Sequence, residues 1–161
     1  MSRNRSPLPL MGVTVLSAIV LALVPLPEVL SALRPYWLAL VVAYWVLESP
    51  EHAGLGFAFA GGLLADLAHG SLLGEQALRM VMLAFIVDRF RSRLRFFPVW
   101  QQALVMGGLL LNDRLISVVV HAMTGTPQLS AMHWLSPLAG ALLWGPLFLM
   151  LDTLRHRRGR G

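Results

Sequence analysis

The chain contains no cysteine and no lysine, and only eight acidic residues stand against thirteen arginines. Without cysteine there is no disulfide, no thiol nucleophile and no thiolate metal site, and the redox compartment stays unassigned. Charge of either sign is scarce, at 13% of residues, where a soluble domain carries roughly 25%. Catalytic motifs are missing too: there is no G-x-S-x-G elbow, no P-loop and no H-E-x-x-H pair, and no aspartate-rich pattern of a lipid-headgroup transferase. His52, His69, His121, His133 and His156 have no metal-ligand spacing. No internal repeat, low-complexity tract or domain linker interrupts the chain. These absences argue against an enzyme, a metal site or a bound cofactor.

What is present is apolar. Hydrophobic residues make up 57% of the chain and the mean hydropathy is +0.67, against about 45–50% apolar for soluble domains. The expected class is all-α: a polytopic membrane bundle forming one integral membrane domain. A bilayer core takes roughly 20 apolar residues per helix, so 161 residues allow six helices with short loops. The apolar runs place them at about 8–26, 35–48, 54–68, 72–88, 98–121 and 133–152. The first run follows Arg3 and Arg5 but lacks a small-x-small cleavage site, so it reads as a retained helix rather than a signal peptide.

The net charge of +5 and pI near 11.3 would suggest nucleic acid in a soluble chain. Here the arginines sit in short clusters between apolar runs, which is a topology signal, and no nucleic acid is expected. Ten of the thirteen lie at the N-terminus, at 89–95 and in the tail from Arg155. If all three clusters are cytoplasmic, the crossings between them must be even in number. Four runs precede Arg89 and two separate Arg95 from Arg155, so six crossings with both termini inside satisfies every cluster. Folding runs two and three into a re-entrant hairpin leaves four crossings and keeps the parity. Run two is short enough for that: it rises about 20 Å against a core of roughly 30 Å. Its aromatic pairs, Tyr36–Trp37 and Tyr44–Trp45, read as interfacial belts.

A few charged residues stand inside apolar runs, where each needs a justification. Asp66 closes the Gly-rich third run. It reads either as a carboxylate bonded to turn groups around His69 to Ser71 or as a functional residue that binds a cation or polar ligand or locks a partner helix. In the first case Asp66→Asn should be mild. Glu75 and Arg79 are spaced i,i+4 with the acid first, the favourable order for a helix ion pair, and read as a buried pair. Asn112, Asp113 and Arg114 form a polar cluster in run five. Adjacent helical residues point about 100° apart, so Asp113 and Arg114 each need a partner elsewhere; the cluster is a joint between helices or the wall of a pocket. Gly61 and Gly62 strip bulk from run three and offer a packing surface for another helix. Gln101 and Gln102 read as cytoplasmic interface residues.

Taken together, RPYW at 34–37, YWVLESP at 44–50, the Gly-rich third run, the pattern D-L-x-x-G-x-x-x-G (Asp66, Leu67, Gly70, Gly74), WQQAL at 100–104 and the late Trp134 and Trp144 resemble the rod shape-determining protein MreD family. The resemblance covers nearly the whole chain. It marks Arg34, Pro35, Trp45, Pro50, Gly61, Gly62, Asp66, Gly70 and Gly74 as partner-binding or structural motif positions; Asp113 and Arg114 match no feature of the pattern. It implies a non-enzymatic, multi-pass protein of the bacterial inner membrane, working in the elongation machinery. The implied partners are MreC above all, MreB, RodA and penicillin-binding protein 2, in a lipid surrounding. Similarity in fold to the substrate-binding subunits of energy-coupling-factor transporters supplies an alternative, a small-molecule binding or transport subunit.

Overall fold

The computed structural model describes residues 7–27, 34–125 and 134–159. Arg3, Arg5, most of the loop expected at 124–130, His133 and Arg160 lie outside them. Among the described residues there are six α-helices and no strand: α1 Leu8–Leu23, α2 Trp37–Glu48, α3 Leu55–His69, α4 Glu75–Leu94, α5 Val99–Thr124 and α6 Ser136–Gly159. Helix α4 continues beyond its apolar run through Arg89, Arg91 and Arg93, and α6 continues through Arg155 and Arg157. Two helices, Val99–Thr124 and Ser136–Arg157, are long and apolar enough to cross a membrane. Helices α1, α2 and α3 are apolar but shorter.

The centre of the bundle is α2. Every residue from Leu38 to Leu47 is buried, and α2 packs against α1, α3, α4 and α6. A helix that is hydrophobic all round belongs in a core, and its short length follows: shielded by longer neighbours, it has no need to match a lipid thickness itself. This corrects the interfacial reading of Tyr44 and Trp45, both 0% exposed. Tyr44 packs edge-on to Trp45 and to Phe148, with ring centroids 5.3 and 5.4 Å apart. The indole N–H of Trp45 donates to Thr14 Oγ1 at 2.9 Å, tying α2 to α1.

The other helices turn large apolar side chains outward, among them Leu16, Leu64, Phe85, Leu104 and Leu142. The most extensive helix contacts are α3 with α4 and α5 with α6. Both depend on small residues. A methyl group at Gly62 would lie 2.6 Å from the amide nitrogen of Ala77 and the carbonyl oxygen of Gln76. One at Gly107 would lie 3.2 Å from Ala141 Cβ.

Long-range hydrogen bonds define the two ends of the bundle. At one end Arg91 Nε donates to Leu47 O at 2.9 Å and Arg155 pairs with Glu48 at 2.8 Å. These bonds gather the C-terminal ends of α2, α4 and α6, so the clusters at 89–95 and 155–157 share one end, the Glu48 end. The turn after α2 is compact there, with the amides of His52 and Ala53 both donating to Ser49 O, and Pro50 supplies its fixed φ. At the opposite, Tyr36 end, Arg34 donates to the carbonyls of Ala22 and Val24, capping the last turn of α1. Ser136 Oγ donates to Arg34 O at 2.7 Å, which brings the start of α6 to the same place.

Candidate functional site

The polar residues at the Tyr36 end form two adjoining sites, both built from the start of α4. The first is centred on Asp66, which is 1% exposed. Helix α3 ends at Gly70, whose φ of 62° is left-handed, and the chain turns back to Gly74, with φ 99°, immediately before α4. Glycine meets both dihedrals without the steric cost of a Cβ. The turn aims the Asp66 carboxylate at the first amides of α4. Oδ1 accepts from Ser71 Oγ at 2.8 Å and Gln76 N at 2.9 Å; Oδ2 accepts from Gly74 N at 2.8 Å and Ala77 N at 3.4 Å. The orphan donors of a helix start and the positive end of its dipole thus meet a negative charge. Asp66, Gly70 and Gly74 belong to one device, a latch that closes the α3–α4 hairpin.

The second site is centred on Arg79, one helical turn into α4. Its guanidinium makes a two-pronged pair with Asp113 of α5, through Nε at 2.9 Å and Nη2. It also stands 3.7 Å from Glu75, its i,i+4 neighbour, and 4.7 Å from the ring centroid of Tyr36. Both Glu75 and Arg79 are less than a tenth exposed at the side chain. Ser117 Oγ donates to Glu75 Oε1 at 3.4 Å, and His121 Nδ1 lies 3.7 Å from the same oxygen while bonding Ser117 O at 2.8 Å. Asp113 therefore has the distant partner that its position demanded. The network joins the start of α2 to α4 and α5.

Gly61 and Gly62 are buried within the chain. The expected packing surface is used internally: Gly62 meets the α4 backbone, and a Cβ at Gly61 would lie at ordinary contact distance, 3.8 Å, from Leu38 and Val15. Asn112 is half-buried beside Asp113, and Arg114 lines a cavity described below. Trp45, Arg34 and Pro50 take the structural places given above. Gln102 corrects its interfacial reading. It is buried, its Nε2 donates to Leu94 O at 3.1 Å and Phe97 O at 3.2 Å, and its Oε1 accepts from Trp144 Nε1 at 3.3 Å. WQQAL and Trp144 are thus two halves of one joint. Sequence reasoning also missed Tyr36 over Arg79, Thr14 under Trp45 and the Glu48–Arg155 pair. All three join residues far apart in sequence, so no local spacing signals them.

Among the described residues, no group of three His, Cys, Asp or Glu side chains is placed to hold a metal ion. The buried carboxylates are committed: Asp66 to amides, Asp113 to Arg79. Buried carboxylates paired inward and apolar side chains turned outward mark an all-helical membrane protein. The family model described as rod shape-determining protein MreD matches residues 3–154. A Rod shape-determining protein MreD of Haemophilus influenzae is 34% identical over 143 residues, which cover 87% of this chain and 86% of that protein. The chain belongs to the MreD family of rod shape-determining proteins. No solved structure matches it.

Proposed function

We propose that this protein is a non-enzymatic, multi-pass subunit of the bacterial inner membrane that serves the elongation machinery as a scaffold. It crosses the membrane six times with both termini in the cytoplasm. Family membership supports the role in rod shape. The observation that carries the topology is the common end of the bundle: the hydrogen bonds of Arg91 and Arg155 gather the arginine clusters of α4 and α6 beside Glu48. Positive clusters mark the cytoplasmic side, so the Glu48 end faces the cytoplasm and the Tyr36 end faces away. The outward apolar faces of the surrounding helices suit lipid, and they shield the short α2.

In this reading the protein binds the membrane helix of MreC through its outward faces, since Gly61 and Gly62 are used internally. Through MreC it helps couple MreB filaments to RodA and penicillin-binding protein 2 and hence to peptidoglycan synthesis. Reporter fusions test the topology. Fusions after Phe96 and at the C-terminus should report cytoplasm, and one at Gln128 the opposite side; a fusion after Phe96 reporting outside overturns it. The role is tested by depleting the protein, scoring rod shape, and recovering MreC with the tagged chain. Normal rods after depletion, or no recovered MreC, would sink the scaffold reading.

A further inference from the structure

Beside the Arg79 network lies a cavity of 360 Å³ whose lining includes Arg34, Tyr36, Arg79, Asp113 and Arg114. Three arginines and one carboxylate residue line it, and that carboxylate is committed to Arg79. The groups left over can all donate a hydrogen bond. The Tyr36 hydroxyl is buried with no hydrogen-bond partner, and so is Arg34 Nε. Arg114 is half-buried and has no ion pair or hydrogen bond among the described residues. A buried donor without an acceptor is destabilising, and a half-buried guanidinium without a counter-charge is more so. Water supplies acceptors but no charge. A small oxyanion supplies both, and a tetrahedral one has oxygens enough to meet separate donors at once.

We propose that this cavity binds a phosphate group, carried by a soluble phosphate or by the headgroup of an anionic lipid. Arg114 provides the counter-charge, and the Tyr36 hydroxyl and Arg34 Nε provide hydrogen bonds. Arg79, held by Asp113 and Glu75, positions the Tyr36 ring. That the cavity faces away from the cytoplasm rests on the topology proposed above; the binding itself does not.

The test uses the full chain in a neutral detergent and in lipid nanodiscs. The probes are inorganic phosphate, followed by calorimetry and thermal shift, and phosphatidylglycerol in a phosphatidylcholine matrix, followed by native mass spectrometry. Binding of inorganic phosphate identifies a soluble source; retention of phosphatidylglycerol alone identifies a lipid. Arg114→Gln should weaken the bound probe at least about tenfold, and Tyr36→Phe by about threefold or more, as expected for charge-assisted bonds. Arg93→Gln, exposed at the opposite end, controls for general electrostatic attraction and should bind normally. Tyr36→Phe keeps the ring over Arg79 and removes only the unpartnered hydroxyl, so without probe it should melt no lower than the wild type. Failure of the wild type to bind either probe overturns the proposal. So does a folded Tyr36→Phe protein and an Arg114→Gln protein that both bind with unchanged affinity.

Discussion

At the seam between α3 and α4 the two backbones come close at Gly62, and the Asp66 carboxylate stitches the end of one helix to the first amides of the other. Between α1 and α6 nothing comparable occurs among the described residues. There an apolar groove of 740 Å³ runs with Thr14, Ala18 and Leu21 on one wall, Leu147 and Met150 on the other, and Trp37 and Val41 of α2 along the floor. Both regions draw on the same apolar vocabulary. They differ in having, or lacking, a close backbone approach and a satisfied charge. The seam has one permitted geometry, because the glycine tolerates no bulk and the carboxylate finds its four donors only in one register. The groove has no such constraint, so its exposed lining residues, Val13 among them, can change size at little cost to the fold.

Gly62→Leu should break this contrast most severely. Its side chain must displace the α4 backbone, and the loss should be at least about 3 kcal/mol, read as a missing monodisperse peak in detergent. Removing one partner of the adjoining ion pair comes next. Arg79→Leu strands Asp113 and Glu75 and should cost about 3–5 kcal/mol, whereas Arg79→Leu combined with Asp113→Leu should cost less. Thermal melts of the single and double variants decide this, and equal losses would show the pair is not buried. Glu75→Gln should be milder than Asp113→Asn, since Arg79 meets Glu75 at 3.7 Å but Asp113 through two hydrogen bonds.

Asp66→Asn sharpens the comparison at the seam itself. Judged from sequence, it promised to be mild. The geometry predicts otherwise, because each carboxylate oxygen accepts from its own donors and an amide must turn an N–H against one set. The expected loss is about 1–3 kcal/mol, measured by melting temperature. A loss near zero would show that the latch does not hold the hairpin. The smallest effect belongs to the groove: Val13→Ala should stay within about 0.5 kcal/mol. A large loss there would mean that α1 and α6 are as tightly specified as α3 and α4.

The latch was partly legible beforehand. Asp66 at the end of an apolar run, with Gly70 and Gly74 behind it, signals a turn and a carboxylate bonded near it. The bonds reach further than expected, past Ser71 to the amides of Gly74, Gln76 and Ala77. The i,i+4 spacing of Glu75 and Arg79 was equally readable, because helical geometry alone makes them neighbours. The stronger partner, Asp113, was not, since 34 residues separate it from Arg79. Tyr44 and Trp45 were misplaced at an interface because their position near the end of an apolar run looks the same for a lipid-facing helix and a central one.

The sequence by itself determined the helical, membrane-type character of the chain, its family, the turn at His69 to Ser71, and the need of Asp113 for a distant partner. The family follows from the order and spacing of its short motifs, and the rest from composition or from the fixed rise and twist of a helix. Only the tertiary structure decided that α2 lies at the centre, that Gly62 faces α4 rather than another chain, and that Tyr36, Arg79 and Asp113 meet beside a cavity. Those outcomes depend on how each helix is rotated and shifted against its neighbours. Hydropathy alone leaves that rotation nearly free in a chain this apolar, and the close approach at a glycine and the pairing of buried charges set it.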